Sequence, residues 1–220
     1  MPSSSPNSPR ARFLELGEPE RALWLDPAEA EFVAHGFERA SLNRIIASAG
    51  ESKGRTYHYF SGKGALFDAT LERRLEPLAG LMFTPEALAD IDPAGFWKAL
   101  ATLSARLTER FQQDATLAAL VRTLHREKAA QEAVSDKLAG FRARIEGVLA
   151  AGRSVGAVRD DLPLSMLADV ALDVLISVDR WFARHADSLP DGDEAALSQR
   201  AFSLLMTPLL PQSKNEGPLS

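Results

Sequence analysis

The chain has no cysteine among its 220 residues, which excludes disulfides, thiol nucleophiles and cysteine-ligated metal, and fits a cytoplasmic protein. No stretch approaches the roughly 20 uncharged apolar residues that a membrane helix needs, so a soluble protein without a membrane partner is expected. The opening MPSSSPNSPR lacks the apolar segment of a secretion signal and is rich in Ser and Pro; it reads as a disordered tail over 1–17. No segment sustains the two-residue alternation of a half-buried strand, and no internal repeat is visible. There is no phosphate loop, G-x-S-x-G elbow or dinucleotide fingerprint. His35, His58, His125 and His185 have no histidine partner at i, i+4 and no carboxylate arrangement with metal-ligand spacing. Neither catalytic residues, nor a metal, nor a cofactor are expected.

What is present is an ordinary globular composition, 45% hydrophobic and 25% charged, in a chain long enough for one core or for a small domain beside a larger one. Apolar spacings of three and four recur from about residue 20 to residue 210, which predicts an all-α fold. Prolines stand at the starts of helical patterns, as in Thr84-Pro85, Asp92-Pro93 and Leu162-Pro163. The division expected is 18–75 as a small helical domain, 76–210 as a larger one, and 211–220 as a second tail. Net charge is −5, yet Arg39, Arg44, Lys53, Arg55 and Lys63 face only Glu51 between residues 39 and 63. That local excess is what can meet phosphates.

The same 25 residues carry a pattern. Ser41 makes an N-cap, and Leu42, Ile45, Ile46 and Ala49 follow at i, i+3, i+4 and i+7, leaving Asn43, Arg44, Ala47 and Ser48 outward. Gly50 sits where a helix end favours a left-handed residue, and Ser52 caps a second short helix to about Phe60. Two short helices across a glycine turn make a helix-turn-helix. A supporting helix with Trp24, Leu25, Ala28, Phe32 and Phe37 precedes it and ends near Gly36; a longer one through Leu66, Phe67, Thr70, Leu71 and Arg74 follows. A recognition helix presents its N-terminal residues to base edges and its flanks to phosphates. Arg55 is the best base reader, because its fork can bond both acceptors of a guanine. Gly54 lets the backbone come close to DNA. Tyr57 and His58 present flat edges, Tyr59 and Lys63 suit phosphate, and Phe60 is expected to turn inward. Each residue alone would fit a plain core helix or a solvated face; cap, stripe, turn and charge together are harder to produce by accident.

These residues resemble the TetR/AcrR family of bacterial transcriptional regulators. The resemblance lies in AEAEFVAHGF, ASLNRIIASAG and SKGRTYHYFSGKGALF, and runs from about Trp24 to Leu71. It implies a dimer that binds double-stranded DNA and a variable C-terminal helical domain that senses a ligand. Carried over residue by residue, base contacts fall on Asn43, Arg44, Gly54, Arg55, Tyr57 and His58, and phosphate contacts on Ser41, Ser52, Lys53, Tyr59 and Lys63. Two positions depart from the pattern. Pro27, with Asp26 as N-cap, predicts a first helix that starts late or kinks there. Glu51 replaces a usually aliphatic turn residue, placing an acid near phosphates or beside an arginine.

Further helices are expected at roughly 86–91, 94–112, 115–128, 131–152, 164–186 and 192–209. In the fifth, Leu167, Val170, Ala171, Val174, Val178, Trp181 and Phe182 form one stripe, and Leu172, Leu175 and Ile176 widen it, so two faces want burial. The resemblance implies a four-helix homodimer interface there, through Val170, Val174, Val178, Trp181, Leu197, Ala201, Leu204 and Leu205. A pocket for a small apolar or amphipathic effector would draw on Met82, Phe83, Phe96, Trp97, Leu100, Leu103, Leu120, Leu124, His125, Phe141 and Ile145, most of them plain core. The function expected is a ligand-responsive repressor on a palindromic operator. The alternatives are a regulator without small-molecule control, or a helical carrier or enzyme whose basic patch is incidental.

Overall fold

A computed structural model describes residues 8–212 apart from 82, 83, 85, 89 and 186–192, and every regular element among them is helical. Phe83 and Met82 therefore lie outside the described residues, as do 1–7 and 213–220. The chain forms two compact units: Met1–Pro77 with Asp114–Ser135, and Leu78–Gln113 with Asp136–Ser220. No helix among the described residues is long and apolar enough to cross a membrane.

The first unit begins earlier than the composition suggests. Residues 9–17 are not a disordered tail: α1 (Pro9–Leu14) starts where the Ser8 hydroxyl accepts from the Ala11 amide and Pro9 takes the first position, the arrangement that suits a proline without an N–H. Helix α2 (Glu18–Arg39) buries Trp24, Leu25, Ala28 and Phe32 along one face. It neither starts late nor kinks at Pro27; its one non-helical residue is Gly36, at φ 71° and ψ −176°. A proline there forfeits one backbone bond in a helix otherwise held by a buried face, and Asp26, instead of capping, pairs with Arg73 at 2.8 Å.

Helices α3 (Leu42–Ser48), α4 (Lys53–Tyr59) and α5 (Lys63–Ala79) follow. Ile45 and Ile46 are buried and Asn43, Arg44, Ala47 and Ser48 are exposed, as the stripe predicts. Phe32, Phe37 and Phe67 meet edge-on or stacked, with Phe67 at 4.9 and 5.2 Å from the other two. Buried Glu29 accepts from Arg73 and Arg74, each at 2.9 Å, so its charge is compensated rather than stranded. Residues expected in the C-terminal domain complete this unit: α7 (Ala115–Arg126) and α8 (Lys128–Ala133) pack on α2. Leu117 and Leu120 are buried, and the Glu127 carboxylate accepts from the Glu38 amide at 2.6 Å. The helix expected over 131–152 is in fact broken at Val134 (φ −119°, ψ 23°).

The second unit contains α6 (Pro93–Gln113), α9 (Ser135–Ser154), α10 (Leu164–His185) and α11 (Asp193–Met206). Its core gathers Leu88, Phe96, Leu149, Val158, Leu167 and Leu209. Gly152 makes room for the Phe96 ring: a Cβ there would lie 2.5 Å from Phe96 Cζ. The turn before α10 is pinned by Arg153, which donates to the Arg159 and Leu162 carbonyls at 3.0 and 2.6 Å, and by Asp161, which takes the Arg159 guanidinium at 2.7 Å.

Candidate nucleic-acid interface

Helix α4 is seven residues long and depends on its ends. At its start the Ser52 hydroxyl accepts from the Arg55 amide at 3.1 Å, and the buried Thr56 hydroxyl donates back to the Ser52 carbonyl at 2.9 Å. Gly50, in the turn before it, has φ 68°, a conformation that only glycine adopts without strain. Thr56 and Phe60 face inward, at 1% and 2% exposure. Lys53, Gly54, Arg55, Tyr57 and His58 therefore share the outward surface, with Tyr57 54% exposed. On α3, Ser41 caps through the Arg44 amide at 3.4 Å.

The cations of this surface are engaged in three different ways. Arg55 pairs with Glu51 one turn back at 2.5 Å, and this hydrogen bond is the main reason its pKa is raised. Glu51 is thus paired with an arginine, as the sequence allowed. Arg44 clasps Glu31 on α2 through Nε at 2.9 and 3.1 Å. Glu31 also accepts from the Ser41 amide at 2.7 Å; its carboxyl is held below its ordinary value, first by the Arg44 hydrogen bond. Lys63 is bound by backbone: Nζ donates to the Glu38 and Ala40 carbonyls, both at 3.1 Å, and sits 4.7 Å from the Phe37 ring centre, a cation–π distance.

Tyr59 is half-buried, its ring 6.2 Å from Trp24 and 6.5 Å from Phe13. Sequence reasoning missed three contributors to this surface. Glu31 orients Arg44, Arg12 donates to the His58 carbonyl, and Phe13 packs on Phe60 at 4.7 Å. The Ser8-Pro9 capping pattern was the available signal for the last two.

The expected effector-pocket residues do not assemble within one unit. Leu120, Leu124 and His125 lie on α7 in the first unit; Phe96, Trp97, Leu100 and Leu103 on α6, and Phe141 and Ile145 on α9, lie in the second. Phe96 is fully buried, Trp97 donates through its indole N–H to the Ala157 carbonyl at 3.1 Å, and Phe141 is 43% exposed. Six of the eight residues expected at a dimer interface line one groove. Val174, Val178 and Trp181 of α10 and Leu197, Ala201 and Leu204 of α11 line an open groove of about 730 Å³ with Phe182, Asp173, Ser177 and Arg200. Val170 is exposed but does not line it, whereas Leu205 packs against the core.

Comparison with known proteins places this geometry in a family context. The family model described as bacterial regulatory proteins of the tetR family matches residues 25–70. The HTH-type transcriptional repressor SCO4008 of Streptomyces coelicolor is 39% identical over 62 residues, 28% of this chain and 32% of that protein. The HTH-type transcriptional regulator SrpR of Pseudomonas putida is 39% identical over 69 residues, 31% and 32% of the two chains. The match spans about a third of these curated relatives. Among solved structures, SmeT, the repressor of the Stenotrophomonas maltophilia efflux pump SmeDEF, shares 20% identity at a TM-score of 0.66, over 94% of this chain and 96% of that one. The regulator FadR of Bacillus subtilis, solved with stearoyl-CoA, shares 17% at 0.66, over 85% and 98%. At these identities the likeness to solved structures establishes the fold.

Proposed function

We propose that this chain, which carries the DNA-binding domain of the TetR family, is a dimeric transcriptional repressor that binds a palindromic operator and is released from it by an apolar or amphipathic effector. The observation that carries the reading is the outward face of α4: a capped helix of two turns, anchored by Thr56 and Phe60, that presents Lys53, Gly54, Arg55, Tyr57 and His58 together. Such a face fits a major groove, with Arg55 reading a guanine and Lys53, Tyr59, Lys63 and the caps Ser41 and Ser52 near phosphates. Asn43 and Arg44 flank it as further base contacts. The α10–α11 groove supports pairing with a second copy, because an apolar face with exposed Trp181 and Leu204 wants cover, and twofold pairing matches two half-sites about 34 Å apart. SmeT is also solved with triclosan and FadR with stearoyl-CoA; the first ligand is mainly apolar and the second joins a long apolar chain to a charged head, which supports an apolar or amphipathic effector here. The relatives matched are transcriptional regulators, and no catalytic role is assigned to any residue.

The test is selection from randomised duplex DNA by the purified chain beside Arg55→Ala and Tyr57→Ala, with mass in solution measured for wild type and Leu204→Asp. An enriched palindrome that the α4 substitutions relax, and a dimer that Leu204→Asp splits, support the reading. Stearoyl-CoA and triclosan are the first effectors to try against the bound complex. No enrichment at moderate salt sinks the DNA-binding reading.

A further inference from the structure

A helix of two turns is marginal on its own in water, so whatever holds its ends decides how its outward side chains are presented. The start of α4 has Ser52. Its end has no following residue in helical register, because Phe60 is extended (φ −131°, ψ 129°), and the His58 carbonyl is left for an outside donor. That donor is Arg12: its Nε and Nη2 reach the His58 oxygen at 3.0 and 2.9 Å. A guanidinium suits this place, since its fork offers two N–H groups to one oxygen and its charge complements the negative end of the helix. Neighbouring side chains of α1 fix Arg12 in turn. Phe13 is 4% exposed, packed 4.7 Å from Phe60, and Arg10 bridges Asp68 and Glu72 on α5. All three residues stand before residues 25–70, the stretch the family model matches.

We propose that Arg12 is a positioning residue for DNA recognition: by clamping the His58 carbonyl it fixes the C-terminal end of α4 and hence the side chains of Tyr57 and His58, through the backbone. The inference rests on the DNA-binding reading but has a readout that does not need DNA. In the free protein, Arg12→Ala speeds amide exchange in the α4 segment about tenfold, near the low end for losing a hydrogen bond to a charged group, and leaves the α10 segment unchanged. Arg12→Lys, which keeps the charge and a donor, recovers part of the protection.

With the duplex selected by wild type, Arg12→Ala weakens specific binding about tenfold and leaves non-specific binding and the salt slope unchanged. Unchanged exchange and affinity would overturn the proposal. So would a salt slope shallower by about one, which makes Arg12 a phosphate contact, and so would specific and non-specific binding falling together with the melting temperature, which leaves only a structural role. A wild-type chain that selects no duplex sinks the proposed function and the recognition role with it; the exchange result then still reports whether Arg12 holds α4.

Discussion

Gly36→Ala tests how the first unit is closed. Gly36 has φ 71° and ψ −176°, a region that residues with a Cβ reach only at a cost of about 1–3 kcal/mol. The added methyl would also stand 2.2 Å from Glu127 Oε1, and that carboxylate caps the Glu38 amide at 2.6 Å through its other oxygen. Glu127 can swing away, but only by releasing the cap, a charge-assisted bond worth about 1.5–3 kcal/mol. The substitution should therefore cost about 2.5–6 kcal/mol in all. Glu127→Ala alone loses only the cap, and Gly36→Ala in that background adds only the backbone strain, so the double variant is about as unstable as Gly36→Ala itself. Urea unfolding followed by circular dichroism, with amide exchange in α2 to assign the loss to the first unit, measures both legs of the cycle. A cost below about 1 kcal/mol for Gly36→Ala, or strict additivity of the two substitutions, would show that Glu127 does not close on the Gly36 break.

In the second unit, Gly152→Ala places a methyl 2.5 Å from Phe96 Cζ and 2.6 Å from Val158 Cγ2; overpacking of this kind costs about 1–3 kcal/mol, and a thermal midpoint within a degree of wild type would refute the contact. Glu51→Gln frees the Arg55 fork and removes an acid from the phosphate side of the turn, so binding to the selected duplex should tighten about two- to fivefold at low salt, and weaker binding would mean that Glu51 orients Arg55 productively. The Glu31 carboxyl is depressed below 4.5 chiefly by Arg44, so its contribution is full above that value and lost as pH falls through the lower folded value. The melting temperature of wild type should accordingly drop more steeply than that of Glu31→Gln between about pH 5 and pH 3; parallel curves would deny the depression.

How much of this was legible in the sequence depended on whether the deciding contact was local. Ser41, Ser52 and Gly50 announce caps and a turn through neighbours at most three residues away, and the Leu42–Ile45–Ile46–Ala49 stripe declares its own face. The inward turn of Phe60 followed from the same spacing. The short α1 was not legible, because six residues are too few for periodicity and its stability comes from Phe60, His58 and α5, at least 45 positions further along the chain. Composition there pointed to a tail, while the Ser8-Pro9 cap pointed the other way. The α7 and α8 segment failed differently: Leu117 and Leu120 declare a buried face, but nothing local says that α2 is what covers it. Pro27 was overread for a similar reason, since its one missing hydrogen bond is small against the buried stripe of Trp24, Leu25, Ala28 and Phe32.

The partners of the surface cations carry a consequence for recognition. A carboxylate neutralises the arginine it binds, whereas a carbonyl does not. Arg55 on Glu51 and Arg44 on Glu31 are therefore largely cancelled as seen by a distant phosphate, while Lys63, held by two carbonyls, keeps its full charge and a third N–H. Exposed Lys53 and half-buried Lys63 can then attract any duplex through its phosphates, with affinity that falls as salt rises. Arg55 contributes only where something displaces Glu51, and among base edges the paired acceptors of guanine match its fork best. The two arginines expected to touch bases are thus the two whose charge is masked by acids, and the lysine expected to touch phosphate is not. On the DNA-binding reading, this arrangement keeps non-specific attraction modest and reserves the arginines' contribution for the correct sequence, because each must exchange a bond it already has for a better one.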